Sequence, residues 1–268
     1  SDSKIASIVN GVSITLDKNI AENIGSGDTI RFTGQVNAGA VYVFTTTDRG
    51  ASYTEEAKIV STATDADTDF SGDCFGQCVE LDGDTLAISA PTDETTLGAA
   101  STGSVEIWER SKNTSGNNVW SFNTKIIAPV AGERFANGNE SVSLSGDYLA
   151  VSHVGFDDDP TNEPEGAVVI YKRVGSTWVL LQTLRAPTTL NSGAPANKGF
   201  GETVVLKGKY LVASFQNYST ASVSKTGRAI VYKKNDITGL YEQDGIVHPK
   251  HHIPNQIFSK AIDITTVE

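Results

Sequence analysis

One sequence pattern occurs four times along this chain of 268 residues, and it constrains the fold more than any single residue does. Each copy contains a glycine followed by a run of β-branched and aromatic residues, as in Gly103-Ser104-Val105-Glu106-Ile107-Trp108. The glycine stands at positions 39, 103, 166 and 227, which are 64, 63 and 61 residues apart. So steady a period predicts a repeat architecture in which each copy is one supersecondary unit.

Each copy predicts four short strands. Serine alternates with valine and leucine over residues 141–145, which is the period of two expected of a half-buried strand. A turn with glycine at its second position follows, as in Asp82-Gly83, Ser145-Gly146 and Lys207-Gly208. This pattern predicts a type I′ hairpin turn, because both central residues of that turn need positive φ. An apolar second strand, expected to be covered on both faces, a valine-rich third and an aromatic-led fourth complete a β-propeller blade.

Several motifs in these copies resemble the FG-GAP repeat, the blade of integrin-α-type propellers and of many bacterial and viral surface proteins. The resemblance is carried by Phe75-Gly76, Phe200-Gly201, the Gly-Asp turn, Ser89-Ala90-Pro91 and the strand at 39–44. It covers about residues 19 to 265, and it departs from the pattern at Phe135-Ala136, where Phe-Gly would stand. The resemblance implies an all-β propeller and a role at a surface, either extracellular, on a cell or on a virion.

We expect one domain over residues 1–268, an FG-GAP-type propeller with four complete four-stranded blades. These blades span about 19–72, 73–132, 133–196 and 197–255. Residues 258–265 resemble the first strand of a fifth copy. We therefore expect the terminal strands, 5–16 and 258–266, to form a composite blade that closes the ring, since closure removes exposed sheet edges. The alternative is that the chain is a segment of a longer array.

The composition limits the class of partner. The formal net charge is −11 and the sequence pI is about 4.8, which argues against a nucleic acid or an anionic membrane surface. No run of 18 apolar residues is present that could span a membrane. We expect a protein or glycan surface partner, which includes the neighbours in a larger assembly.

An acidic stretch at residues 65–73 is the candidate metal site. Its carboxylates stand at positions 1, 3, 5 and 9 of a loop: Asp65, Asp67, Asp69 and Asp73. A hard cation such as calcium needs several oxygens from one tightly wrapped loop, and the resemblance implies a similar loop. Two features oppose a direct transfer, because Phe70 stands where the family has glycine and the stretch precedes the Phe-Gly motif. The alternative is a solvated acidic loop between blades, and we expect no other cofactor.

The connections between the second and third strands are the candidate ligand loops. They lie at about residues 92–102, 153–165 and 216–226, and they are long, polar and different from one another. Asp157, Asp158 and Asp159 stand in the middle loop and are candidate contacts to a cation or ligand. Variable loops on a regular scaffold are typical of binding sites, although neutral drift produces the same pattern.

No sequence motif indicates catalysis. The chain has no Gly-x-Ser-x-Gly, no His-Glu-x-x-His and no phosphate-binding glycine loop. Copies maintained for packing stay alike, whereas a catalytic site requires one blade to differ. The sequence therefore predicts a non-catalytic surface propeller with a structural, adhesive or partner-binding role. A glycan-binding propeller is the first alternative, and a propeller enzyme that uses the mouth of the channel is the second.

Overall fold

The protein is all-β, as predicted. The computed structural model describes residues 5–9, 13–16, 29–33, 39–48, 50–61, 73–93, 102–129, 134–138, 140–156, 166–187, 199–219, 225–251, 253, 255 and 258–265. These residues form 17 strands and no helix. The first five strands are β1 (Ile5–Val9), β2 (Ser13–Leu16), β3 (Thr29–Thr33), β4 (Val41–Thr45) and β5 (Thr54–Ile59).

Three four-stranded sheets follow, and they correspond to the second, third and fourth sequence copies. The second blade contains β6 (Val79–Asp82), β7 (Thr85–Ala90), β8 (Ser104–Lys112) and β9 (Asn118–Ile127). The third contains β10 (Val142–Ser145), β11 (Tyr148–His153), β12 (Ala167–Val174) and β13 (Thr177–Arg185). The fourth contains β14 (Phe200–Lys207), β15 (Tyr210–Phe215), β16 (Arg228–Lys234) and β17 (Tyr241–Val247). Each strand pairs antiparallel with the next, which is the meander of a propeller blade.

The first blade and the chain ends are less complete. Among the described residues the first blade has three strands, β3, β4 and β5, rather than the predicted four. Strands β1 and β2 pair with each other as a hairpin. In residues 258–265 the described backbone makes one parallel bridge, between Phe258 and Gly227, and no strand. Pairing between the two terminal segments therefore stays a prediction.

The turns that join the first two strands of each blade differ from the predicted type. Asp82 pairs with Thr85, so Gly83 and Asp84 are the two central residues. Of these only Gly83 has positive φ, at 60°. This places glycine at the first central position of a type II′ turn, and the type I′ prediction was wrong. Gly146 and Gly208 adopt the same conformation, with φ of 56° and 58°.

The apolar core lies between neighbouring blades. One cluster joins β4 and β5 to β6 and β7, a second joins the second blade to β10, β11 and β12, and a third joins the third blade to the fourth. Every residue of β7 is buried, which confirms that the second strand is covered on both faces. Because each blade buries its faces against its neighbours, the copies depend on one another for stability.

The recurring glycine holds each blade against the next copy. At each of the four positions φ is positive, and a β-carbon would overlap the backbone of a phenylalanine in the next copy. These contacts are Gly39 on Phe75, Gly103 on Phe135, Gly166 on Phe200 and Gly227 on Phe258. Only glycine allows so close an approach of two backbones. Phe258 thus occupies the place that begins each earlier copy, which is what the sequence pattern of this segment indicates.

Candidate functional site

The strand order gives the propeller two different faces. In an antiparallel four-stranded blade, the connection between strands two and three leaves from the same edge as the connection to the next blade. We call this edge the loop face; on it β7, β11 and β15 end at Ala90, His153 and Phe215. The opposite edge carries the tight turns between strands one and two and between strands three and four, and we call it the turn face.

Each of the three connections between strands two and three is closed at its base by a backbone hydrogen bond from the recurring glycine, and in the fourth blade Thr226 N–H also donates to Tyr218 at 2.8 Å. The recurring glycine donates its N–H to the carbonyl oxygen of the residue at which the loop begins. The bonds are Gly103 to Asp93 at 3.1 Å, Gly166 to Phe156 at 3.3 Å and Gly227 to Tyr218 at 3.2 Å. Loops whose ends are tied together resemble Ω-loops, whose interior can change without moving the scaffold. The three predicted ligand loops therefore share one mode of attachment.

The side chains beneath the loop of the second blade are ionic. The carboxylate of Asp93 is buried, and Lys125 Nζ lies 2.7 Å from its Oδ2 atom. The hydroxyl of Ser104 donates a hydrogen bond to the same oxygen. Buried carboxylates are stable only when they are paired and hydrogen-bonded, as this one is. The cluster ties the start of the loop to β8 and β9.

Aromatic rings replace the carboxylate in the next two blades. Phe156 contacts the buried His153 ring edge-on, and the guanidinium of Arg185 lies 5.2 Å from the ring centroid of Phe156. In the fourth blade the guanidinium of Arg228 lies 4.0 Å from the ring centroid of Tyr218. Each pair is a cation–π contact. A cation thus contacts the first residue of each of these three loops. That first residue is a carboxylate in the second blade and an aromatic ring in the third and fourth.

A second carboxylate is buried in the second blade. Glu106 is completely buried at the position that Val169 and Ile230 occupy in the next two blades. Its carboxylate accepts hydrogen bonds from the hydroxyl of Ser61 at 2.7 Å and from the indole N–H of Trp108 at 2.9 Å. Ser61 directly precedes the segment 62–72, so Glu106 fixes the beginning of that segment to the second blade.

Sequence reasoning missed the buried carboxylates Asp93 and Glu106 and the half-buried Lys125. The signal for Glu106 is visible in the sequence, because the third residue after the recurring glycine is valine or isoleucine in the two later copies. The signal for Asp93 and Lys125 is weak, since their partnership crosses a loop and two strands.

The residues predicted to bind a metal or a ligand lie mostly outside the described part of the chain. Asp65, Asp67 and Asp69 fall there, as do Asp157, Asp158 and Asp159. Asp73 is described and half-buried, and its carbonyl oxygen accepts the N–H of Thr92 at 3.4 Å. Within the described ranges no group of three or more His, Cys, Asp or Glu residues could hold a metal ion. The described residues also include no helix long and apolar enough to cross a membrane.

An ion-pair cluster, which we call the arginine clasp, holds the second and third blades together on the turn face. Arg173 of β12 lies 3.2 Å from Asp147 in its own blade and 3.0 Å from Glu109 in the preceding blade. It also donates to the hydroxyl of Thr85 at 3.0 Å, and its guanidinium lies 5.1 Å from the Trp178 ring centroid. The clasp thus satisfies one cation with two carboxylates and an aromatic face.

A similar clasp joins the first and second blades. Arg110 of β8 lies 2.7 Å from Asp84 and 3.7 Å from Glu56 of β5, and its guanidinium is 5.4 Å from the Trp120 ring centroid. Glu56 also accepts a hydrogen bond from the indole N–H of Trp120 at 2.7 Å. The aspartate of the Gly-Asp turn therefore has a structural role in both clasps, because it binds the arginine of its own blade.

Comparison with known proteins agrees with the repeat. Residues 53–106 match the model of the FG-GAP repeat. A solved structure of a protein from Lactobacillus plantarum is similar, with a TM-score of 0.44 and 13% sequence identity. The match covers 87% of this chain and 60% of that one. No curated protein matches the chain.

Proposed function

We propose that this FG-GAP-repeat β-propeller is a non-catalytic binding module that attaches to a protein partner through its loop face. The observation that carries the proposal is the closing hydrogen bond repeated beneath three loops of different sequence. We further propose that the partner is met outside the cell or on a particle such as a virion or appendage, in keeping with the surface proteins in which this repeat is typical.

The closed loop bases support a binding role because they let the loops change in sequence while the strands keep theirs. The strands must keep their sequence to pack against the neighbouring blades, whereas a loop tied at both ends adds little to that packing. The side chains at the base differ, an ion pair in one blade and cation–π pairs in two others, yet each leaves the closing bond in place. Loop sequences can then vary with the partner.

A non-catalytic role is favoured by the way the buried charges are used. Asp93 is bound by Lys125 and Ser104, and Glu106 is bound by Ser61 and Trp108. These groups hold loop ends and blade edges, which is a structural task. A general acid or base would instead have to reach a substrate from a concave site.

Glycan binding is the second candidate. Arg228 favours it, because this half-buried cation stacks on Tyr218 and forms no ion pair within the described residues. A carboxylated sugar would supply the missing anion at the base of the fourth-blade loop. A glycan array separates the candidates: strong binding that is lost in Arg228→Gln would support the lectin role, and no binding to any glycan would support a protein partner.

Loop replacement tests the main proposal. Residues 94–101, 157–165 and 220–224 are replaced by Gly/Ser segments of equal length, which leaves every closing residue in place. The matched control replaces residues 113–117, a hairpin tip on the turn face. We expect attachment to the native partner or particle to be lost in the triple loop variant and kept in the control. Attachment that survives all three replacements would rule out the loop face.

Calcium at Asp65, Asp67, Asp69 and Asp73 is a separate proposal. It rests on the spacing of the carboxylates, which suits a hard oxygen-ligated cation. Added calcium should raise the melting temperature of the wild-type protein, and the rise should be absent in Asp67→Asn. Equal melting temperatures with calcium and with a chelator would exclude the site.

A further inference from the structure

The fourth blade lacks an arginine clasp, and every charged position of the clasp has become lysine. Lys234 replaces the arginine: its N–H binds the carbonyl oxygen of Lys209 at 2.7 Å, as the N–H of Arg173 binds that of Asp147 at 2.8 Å. Lys209 therefore stands where the turn aspartate stood. The preceding blade supplies the third position of the clasp from the residue just before its own arginine. That residue is Glu109 in the second blade and Lys172 in the third.

Two of these lysines lie over one aromatic ring. Lys234 Nζ lies 4.0 Å and Lys172 Nζ 5.8 Å from the ring centroid of Tyr148, which itself replaces the clasp residue Thr85. A fourth cation, Lys233, lies 5.8 Å from the ring centroid of Tyr210. We call Lys172, Lys209, Lys233 and Lys234 the lysine cluster. The third-blade clasp balances one cation with two carboxylates, whereas three of the four cations in the cluster lie over tyrosine rings.

One carboxylate lies within the cluster. Asp236 accepts a hydrogen bond from Lys209 at 2.8 Å, and that bond together with the charges of Lys209, Lys233 and Lys234 lowers the pKa of its carboxyl. Within the described residues, Lys172, Lys233 and Lys234 form no ion pair. The four lysines and Asp236 therefore carry a net charge of about +3, in a chain whose net charge is −11, and Glu242 and Asp244 border them at the adjoining cleft.

We propose that the lysine cluster binds an acidic segment of a partner polypeptide, whose carboxylates take the places that Glu109 and Asp147 fill in the third blade. The fold already demonstrates this chemistry, because the same backbone positions hold Asp and Glu side chains around a cation one blade earlier. The surface lies on the turn face, so it is separate from the loop-face site proposed above.

The surroundings favour a polypeptide over other anions. A cleft of about 340 Å³ adjoins the cluster, and its lining includes Lys233, Lys234 and Ile237 together with the carboxylates of Asp236, Glu242 and Asp244. Ile237 is 95% exposed at the tip of the β16–β17 hairpin, and Leu240 is exposed beside it. A lining that mixes cations, carboxylates and an apolar anchor matches a polypeptide that carries apolar side chains between its acidic ones, and it repels a uniform polyanion. A polyuronate or a polyphosphate has no group to cover Ile237.

The test uses a fluorescent peptide of glutamate and leucine residues and measures its anisotropy with the full chain at low salt. The decisive variant restores the clasp: Lys172→Glu, Lys209→Asp and Lys234→Arg together. We expect it to bind at least about tenfold more weakly than wild type, with an unchanged or higher melting temperature. Each single change to glutamine should weaken binding about two- to threefold, and Ile237→Ser should do the same without altering the salt dependence.

The control arms make the outcome specific. The loop-replaced variant should bind the peptide as well as wild type, which separates this surface from the loop-face proposal. A polyglutamate without leucine should bind more weakly than the mixed peptide. Equal binding by the clasp-restored variant would overturn the proposal, and so would tighter binding of an oligouronate or of polyphosphate than of the peptide. Failure of the single glutamine variants to weaken binding would overturn it as well.

Discussion

The contact between the recurring glycine and the next copy can be tested by adding one methyl group. In Gly166→Ala the new β-carbon would overlap the carbonyl oxygen of Phe200 and lie 3.1 Å from its backbone nitrogen. Both obstacles are backbone atoms of the next blade, so neither can turn away as a side chain would. The two blades must separate by a fraction of an ångström or more, and the apolar cluster between them must loosen.

A matched control removes the effect of backbone conformation. Gly146 also has positive φ, at 56°, but a β-carbon there would meet no atom within 4 Å. Positive φ at this turn position costs an alanine about 1–3 kcal/mol, and this is partly offset by the smaller entropy of its unfolded chain. We therefore expect Gly146→Ala to cost about 1 kcal/mol. Gly166→Ala adds about 1–3 kcal/mol for overpacking, which gives about 3 kcal/mol in total.

Urea unfolding followed by both circular dichroism and tryptophan fluorescence measures the difference. Agreement of the two signals is needed first, because a chain of repeats can unfold in parts. A gap of about 2 kcal/mol between the variants corresponds to roughly 4–8 °C in melting temperature for a protein of this size. Two variants of equal stability would show that the blades do not approach each other at this glycine.

Three further predictions concern other contacts between blades. Glu56→Ala removes the acceptor of the Trp120 indole N–H and a partner of Arg110, so unfolding should become about 3 kcal/mol easier in urea. Burial raises the pKa of Tyr171 above 10.0, so its contribution is present below pH 10 and lost above it. Tyr171 alone should therefore lower the unfolding free energy by about 1.4 kcal/mol per pH unit there, so the fall should be less steep by that amount in Tyr171→Phe. Deleting residues 258–268 exposes Gly227 and should lower the melting temperature by several degrees or cause aggregation. A variant that leaves its measurement unchanged would contradict the contact behind it.

The repeat made the fold predictable from the sequence. Alternation and period located nearly every strand of the second, third and fourth blades, because these strands must present apolar residues to a neighbour on each face. The spacing of Gly39, Gly103, Gly166 and Gly227 gave the blade length. The physical reason for these glycines appears only in the structure. The backbone of the next copy fills the place of the β-carbon, and no feature of the sequence shows which backbone that is.

The remaining features depend on contacts between distant segments. The turn type was mispredicted because the glycine stands one residue nearer the first strand than a type I′ turn requires, and only the pairing of Asp82 with Thr85 reveals this. The arginine clasp was missed because Arg173 and Glu109 are far apart in sequence and belong to different blades. An alignment of the four copies on their glycines would have revealed the change from Glu109 to Lys172.

Hydrogen exchange at the amides of Gly103, Gly166 and Gly227 tests most directly whether the loops are separate from the scaffold. Each amide donates the bond that closes a loop. In the variant with all three loops replaced, we expect these amides to keep the protection of the strands that follow them, because the closing bond belongs to the blade. Protection that falls to the level of an exposed loop after replacement would show that the loops stabilise the blades, and it would contradict the account.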